Sequence, residues 1–109
     1  MIKGTWQIVQ WCPDLVTREW VNIGIGFKSG DFQWFKYLDD FRKVKTIYGG
    51  DTDEHLKGVL EIVSDLFAKR VYGFSPQIKL IEIGFSQGET VSEILNRSYQ
   101  RVVTLRGGQ

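Results

Sequence analysis

Four carboxylates and one arginine are the first residues whose types could do chemistry: Asp14, Glu19, Asp39, Asp40 and Arg42. If the first three strands form a meander, Asp14 and Glu19 lie at one end of the sheet. Asp39 and Asp40 follow the third strand, so they lie near that same end of the sheet. Clustered carboxylates could bind a divalent metal or serve in acid–base catalysis. We favour local roles, in which Asp14 shapes a turn and Asp39 caps a helix.

A glycine pair in the stretch VNIGIGFKS could belong to a phosphate-binding loop or to a strand. A phosphate loop places its glycines after a strand and at the start of a helix. Here Gly24 and Gly26 lie inside an alternating pattern, and a turn into another strand follows. The pattern therefore favours a strand with glycine on one face, where another segment packs closely. Asn22 is predicted to share that face.

The arginines near the C-terminus offer a third chemistry. Arg97, Arg101 and Arg106 recur along the last predicted helix, and exposed Trp20 or Trp34 could add stacking. Phosphate contacts combined with stacking are typical of proteins that bind single-stranded nucleic acid. A solvated helix face explains the same charges, and we favour that reading.

No other side chains suggest a catalytic set, a metal site or a cofactor. The single histidine, His55, lies in the first turn of a predicted helix and has no second histidine to form a metal set. The single cysteine, Cys12, lies at a strand end, where a buried structural thiol is expected. We therefore expect an interaction protein rather than an enzyme.

Composition places the chain among ordinary globular proteins. It has 109 residues, a formal net charge of +1 and 42% hydrophobic residues, which suits a single domain spanning 1–109. No apolar run is long enough to span a bilayer, and no signal peptide is visible. With one cysteine, these features lead us to expect a cytoplasmic protein with no membrane contact.

Seven elements position these residues. Period-two patterns predict strands at 5–12, 19–28, 32–38 and 77–85, whereas helical periodicity predicts helices at 39–48, 51–71 and 90–102. Short turns between consecutive strands favour antiparallel pairing. The prediction is an α+β domain of order β-β-β-α-α-β-α, an antiparallel sheet with its helices packed on one face. The tail, from about 104 to 109, is expected to be flexible.

The stretch CPDLVTREWVNIGIGF resembles the opening motif of a bacterial family of uncharacterised small proteins. The matching positions are Pro13, Asp14, Val16, Glu19, Val21, Asn22 and Gly24. An acidic-acidic-x-Arg stretch of that family is matched by Asp39, Asp40 and Arg42. Members commonly carry Arg shortly before the Pro-Asp pair, whereas this chain has Gln10 and so departs from the family pattern at that position.

The resemblance implies a setting rather than an activity. Family members are often encoded beside kinases similar to HipA, the toxin of a toxin–antitoxin system. The leading expectation is a domain that binds another protein, such as a kinase-like toxin or a defence or phage component. The alternatives are a metal-dependent enzyme acting on nucleic acid and a module that binds single-stranded nucleic acid. A homodimer through an exposed strand edge is a further option.

Overall fold

The computed structural model describes residues 1–105 and contains four strands and three helices within them. In chain order these are β1 (Ile2–Trp11), β2 (Val21–Ser29), β3 (Phe32–Tyr37), α1 (Arg42–Tyr48), α2 (Thr52–Ala68), β4 (Ile78–Gly88) and α3 (Val91–Val102). The predicted α+β class and the order β-β-β-α-α-β-α are confirmed. Residues 106–109, with Arg106 and most of the tail expected to be flexible, lie outside the described part.

The strands form one antiparallel sheet in the order β3-β2-β1-β4. β2 and β3 are joined by the predicted turn, where Gly30 adopts a φ of 61° that a side chain would disfavour. β4 comes after the first two helices and pairs beside β1, which leaves β3 and β4 as the two edges. Within residues 1–105, no helix is both long and apolar enough to cross a membrane.

The helices cover both faces of the sheet, so the expectation that they pack on one face is wrong. Phe35 and Lys36 are neighbours in β3 and point to opposite faces. The ring of Phe35 lies 5.2 Å from that of Phe67 in α2. Lys36 Nζ instead lies 4.7 Å from the ring centre of Tyr99 in α3. α2 and α3 therefore sandwich the sheet.

The residues of β2 explain why helices pack on both faces of the sheet. Ile25 and Phe27 are fully buried, and they pair with residues on the α3 face. Gly24 and Gly26, on the other face, are buried as well. Neither face of this part of β2 carries a polar side chain that could face water, so each is covered.

The glycine pair lies within β2, as the strand interpretation predicted. A Cβ at Gly26 would lie 2.7 Å from Phe35 Cε1 and 2.9 Å from Gln7 Oε1. A Cβ at Gly24 would lie 3.0 Å from Tyr37 Cδ1. The missing side chains let residues of the neighbouring strands lean across β2.

A β-bulge moves Asn22 to the face opposite the one predicted from strict alternation. Val9 pairs with Gly24, but the next residue, Gln10, pairs with Asn22, so β2 contains an extra residue there. Asn22 consequently faces α3, where its Nδ2 donates to Val102 O at 2.9 Å. Its Oδ1 accepts from Gln10 Nε2, also at 2.9 Å.

The predicted start of the last helix agrees with the structure, whereas that of the first helix does not. Thr90, the first residue of the predicted helix at 90–102, caps α3, because its Oγ1 accepts the Glu93 N–H at 3.0 Å. α1 begins at Arg42 rather than directly after Asp39, and Asp40 accepts the Arg42 N–H. Asp39 therefore makes no cap, because the chain enters the helix later than predicted.

Candidate functional site

The structure divides the predicted functional cluster into separate groups. Asp39, Asp40 and Arg42 lie together between β3 and α1. Asp14 is exposed in the β1–β2 loop, where its Oδ1 accepts the Val16 N–H in a local turn. Glu19 lies close enough to Tyr48 for its charge to add to burial in raising the pKa of that phenol.

This arrangement lends no geometric support to metal chemistry. Among residues 1–105, no group of three or more His, Cys, Asp or Glu side chains is placed to hold a metal ion. Asn22 serves to attach α3 to the sheet and is absent from the group of charges. Cys12 is buried, and its Sγ donates to Asp14 O at 3.2 Å, consistent with the structural role expected.

Asp40 and Arg42 form an ion pair with several hydrogen bonds. Arg42 Nε donates to Oδ1 at 3.0 Å and to Oδ2 at 3.1 Å, and Nη2 also donates to Oδ2. The Arg42 side chain, with a smaller effect of its backbone N–H, lowers the pKa of Asp40 to about 2. Asp40 therefore stays ionised at physiological pH and holds Arg42 in place.

These charges line one end of a groove between α2 and β3, which we name the α2–β3 groove. It consists of three adjoining cavities of about 400, 710 and 530 Å³. The first two share Ser64 and Ala68. The second and third share Asp39, Phe41 and Lys57. Because neighbouring cavities have lining residues in common, the groove follows α2 along most of its length.

One flank of α2 forms a wall of this groove. The residues that line it from this helix are Asp53, Lys57, Leu60, Glu61, Ser64, Asp65, Phe67 and Ala68. Their spacing of three and four residues places them on one side of the helix. Ser64 and Ala68 are small, which leaves room for the first cavity. A 17-residue helix is about 25 Å long, the length of seven or eight extended residues.

β3 forms the facing wall at the first cavity. Gln33, Phe35 and Tyr37 alternate along the strand and point towards α2. Their backbone belongs to an edge strand, since β3 pairs with β2 alone among the described residues. Arg70 and Asp31 close this end of the groove, where Arg70 Nη2 donates to Asp31 O. This end of the groove thus lies beside the edge of β3.

The groove carries more acidic than basic side chains. Among residues 1–105, six acids line it, namely Asp31, Asp39, Asp40, Asp53, Glu61 and Asp65. Four bases line it, namely Arg42, Lys45, Lys57 and Arg70. Within the described residues, Asp31, Asp39, Asp53 and Glu61 have no ion pair. The groove is therefore net negative, with unpaired carboxylates.

Tyr37 is an unusual lining residue because its hydroxyl lacks a partner. The hydroxyl is buried and makes no hydrogen bond within residues 1–105. Burial, and after it the nearby Tyr72, raises the pKa of Tyr37, so the phenol stays protonated. A buried polar atom without a partner costs stability.

The predicted nucleic-acid contacts lie on the other face of the molecule. Arg97 and Arg101 line one cleft of about 480 Å³ together with Trp6. Arg97 donates to Ser86 Oγ at 3.2 Å and to Gln87 O at 2.7 Å, so its guanidinium is largely engaged. Trp6 is only 9% exposed, so the aromatic surface of this cleft comes mainly from Phe85, which is 65% exposed.

Sequence reasoning found Asp39, Asp40 and Arg42 but missed the rest of the groove. The helical spacing of Asp53, Lys57, Glu61, Ser64 and Ala68 could have shown that these residues share one flank of α2. Nothing in that spacing shows that β3 lies opposite.

Comparison with known proteins adds no assignment. No protein-family model matches the chain, and nothing among curated proteins or solved structures matches it.

Proposed function

We propose that this protein binds another protein by holding an extended polypeptide segment in the α2–β3 groove. The observation that carries the proposal is a groove that follows α2 and whose first cavity lies beside the edge of β3. A segment added to a sheet edge gains main-chain hydrogen bonds, and flanking cavities select its side chains. The length of α2 accommodates a segment of about seven or eight residues.

Charge favours a basic polypeptide as the occupant. The groove has six acids and four bases, and its unpaired carboxylates can form new ion pairs with lysine or arginine. Phosphate groups of a nucleic acid would meet a net negative surface there. The expected cytoplasmic location belongs to this proposal and can be checked with a fluorescent fusion.

Selection from a displayed library of random twelve-residue peptides tests the proposal before any partner is identified. We expect wild-type protein to enrich peptides with net positive charge. Exposed charge pairs contribute about 0.2–1 kcal/mol each, so Asp39→Lys combined with Glu61→Lys should weaken binding roughly tenfold. The matched control, Asp14→Lys with Glu82→Lys, lies outside the groove and should leave the affinity unchanged.

Two results would contradict this function. One is the absence of any enriched sequence, and the other is peptide binding that survives the groove charge reversals. If peptides bind, a HipA-like kinase is the first whole protein to test, because the motif resemblance implies such a partner. Binding that the same two charge reversals weaken would identify it as a groove ligand.

A homodimer is a competing use of a free sheet edge. β4 has exposed Ile83 and Phe85, at 45% and 65%, but its pairing with β1 is irregular close to these residues. Bulges near an edge disfavour continuous pairing with a second strand. Light scattering decides between the options: we expect the monomer mass of 12.6 kDa, and a stable dimer of twice that mass would favour edge pairing between copies.

Single-strand nucleic-acid binding is our second proposal, because Arg97 and Arg101 line one cleft. Arg101 makes no ion pair within residues 1–105. Fluorescence anisotropy with labelled single strands tests it. The proposal predicts binding that weakens as salt rises and that Arg101→Ala reduces. If no single strand binds, or if binding does not change with salt concentration, this second proposal is contradicted.

A further inference from the structure

The cavity of about 400 Å³ at the Arg70 end of the groove differs from the other two in its aromatic walls. Phe32, Phe35 and Tyr37 line it, whereas Phe67, which is only 2% exposed, adds little ring surface. The Phe35 and Tyr37 rings are nearly parallel, at 9° and 5.7 Å between centres. Phe67 is tilted by 37° to Phe35 at 5.2 Å. We name this space the Tyr37 cavity.

Side chains with hydrogen-bond acceptors line the same cavity as these aromatic rings. Asp31 and Ser64 line the cavity, and the Asp31 carboxylate has no ion pair within the described residues. The Tyr37 hydroxyl makes no hydrogen bond within residues 1–105, but it is buried out of reach of the cavity, so only the Tyr37 ring contributes to the lining. Gln33 is occupied, because its Oε1 accepts from Tyr72 at 2.7 Å and its Nε2 donates to Gln7. The Arg70 guanidinium also lines the cavity and donates to Asp31 O through Nη2. The acceptors that a ligand can reach beside the rings are therefore the Asp31 carboxylate and the Ser64 hydroxyl.

We infer that the Tyr37 cavity holds an aromatic side chain bearing a hydrogen-bond donor, tryptophan or tyrosine, from the bound polypeptide. Aromatic side chains pack favourably against tilted and offset rings, and a buried indole N–H or phenol O–H needs an acceptor. The cavity volume lies within the usual range for ligand pockets of about 300–1,000 Å³. This inference rests on the proposed function, since it names what the bound segment places in one part of the same groove.

The inference can be tested with amino-acid amides, which stand in for single side chains of the bound segment. Wild-type protein labelled with ¹⁵N is titrated with N-acetyltryptophanamide and, separately, with N-acetylleucinamide. We expect saturable shifts of amides in β3 and in the last turns of α2 with the tryptophan probe, and at least fivefold weaker binding of the leucine probe. Equal binding of both probes, or shifts confined to other surfaces, would overturn the inference.

Three variants make the test specific. Ala68 is exposed on α2 and lines the cavity, so Ala68→Trp should fill it and abolish saturable binding. Lys69→Trp adds the same ring at the next exposed position, which does not line the cavity, and should leave binding unchanged. Asp31→Ala removes the carboxylate that has no ion pair within the described residues, and it should weaken binding of the tryptophan probe severalfold while the protein stays folded. Unchanged binding in both Ala68→Trp and Asp31→Ala would overturn the assignment.

The outcomes of these experiments distinguish a failure of this inference from a failure of the proposed function. If selected peptides bind the groove but show no enrichment of tryptophan or tyrosine, the cavity assignment fails and the function stands. If the tryptophan probe binds but no peptide does, the proposed function fails. Adenosine provides a nucleobase of similar shape, and tighter binding of adenosine than of N-acetyltryptophanamide would overturn the assignment to a protein side chain.

Discussion

Asp40 and Arg42 show how strongly two neighbouring side chains can interact at the surface of this protein. Both Asp40 oxygens accept hydrogen bonds from the Arg42 guanidinium, and the Arg42 N–H adds another. These interactions favour the ionised carboxylate and lower its pKa. The pair therefore keeps two opposite charges in a defined position at the α1 end of the groove.

The titration of Asp40 provides a residue-level prediction. With a folded pKa of about 2 and an unfolded value of about 4, the stabilising contribution of the pair is present above pH 4 and is lost as pH falls towards 2. Carboxyl ¹³C shifts should give a midpoint of about 2 in wild type and of about 4 in Arg42→Ala. Lys45→Ala is the control and should leave the midpoint unchanged, whereas an unshifted wild-type midpoint would refute the pairing.

Gly26 gives a second residue-level prediction. Ala at this position would press against Phe35, which is itself packed on Phe67, and we expect a loss of about 1–3 kcal/mol in unfolding free energy. Gly58 is the matched control, because it is exposed in α2 with nothing near the added Cβ. Gly58→Ala should stabilise the protein by up to about 1 kcal/mol. Urea unfolding measures both, and equal effects would contradict the account of β2.

Element order could be predicted from sequence because each element has its own periodicity. β2 and α2 were identified by alternation and by an apolar helical stripe, and Thr90 marked the start of α3. The side on which each helix packs could not be predicted, because it depends on the path of the chain between elements. The bulge beside Gln10 was hidden as well, since the sequence alternates smoothly through Asn22.

Asn22 joins the sheet to α3, and replacing it tests how α3 is attached. Its amide donates to Val102 O and accepts from Gln10, and both groups lose their partner in Asn22→Ala. We expect about 1–3 kcal/mol of lost stability and faster amide exchange at the C-terminal end of α3. Asn96→Ala, on the exposed side of the same helix, serves as control. Slow, wild-type exchange in α3 of Asn22→Ala would contradict this attachment.

The functional site exists only in the assembled molecule. The proximity of Asp39, Asp40 and Arg42 could be predicted from the sequence, because they are close together in the chain. Asp31, Ser64 and Arg70 join the same groove only after α2 has packed across the sheet and the chain has returned past β3. Contacts between residues this far apart leave no pattern in a single sequence, so the groove and its excess of acids emerged only with the fold.

Amide hydrogen exchange of the protein with and without a selected basic peptide is the most direct test of the groove as a polypeptide-binding site. The account predicts at least tenfold slower exchange for edge amides of β3, Phe32–Tyr37, with no change in β4. Asp39→Lys combined with Glu61→Lys should remove that protection. Protection of β4 or α3 with unchanged exchange in β3 would show that the peptide binds elsewhere and would contradict the account.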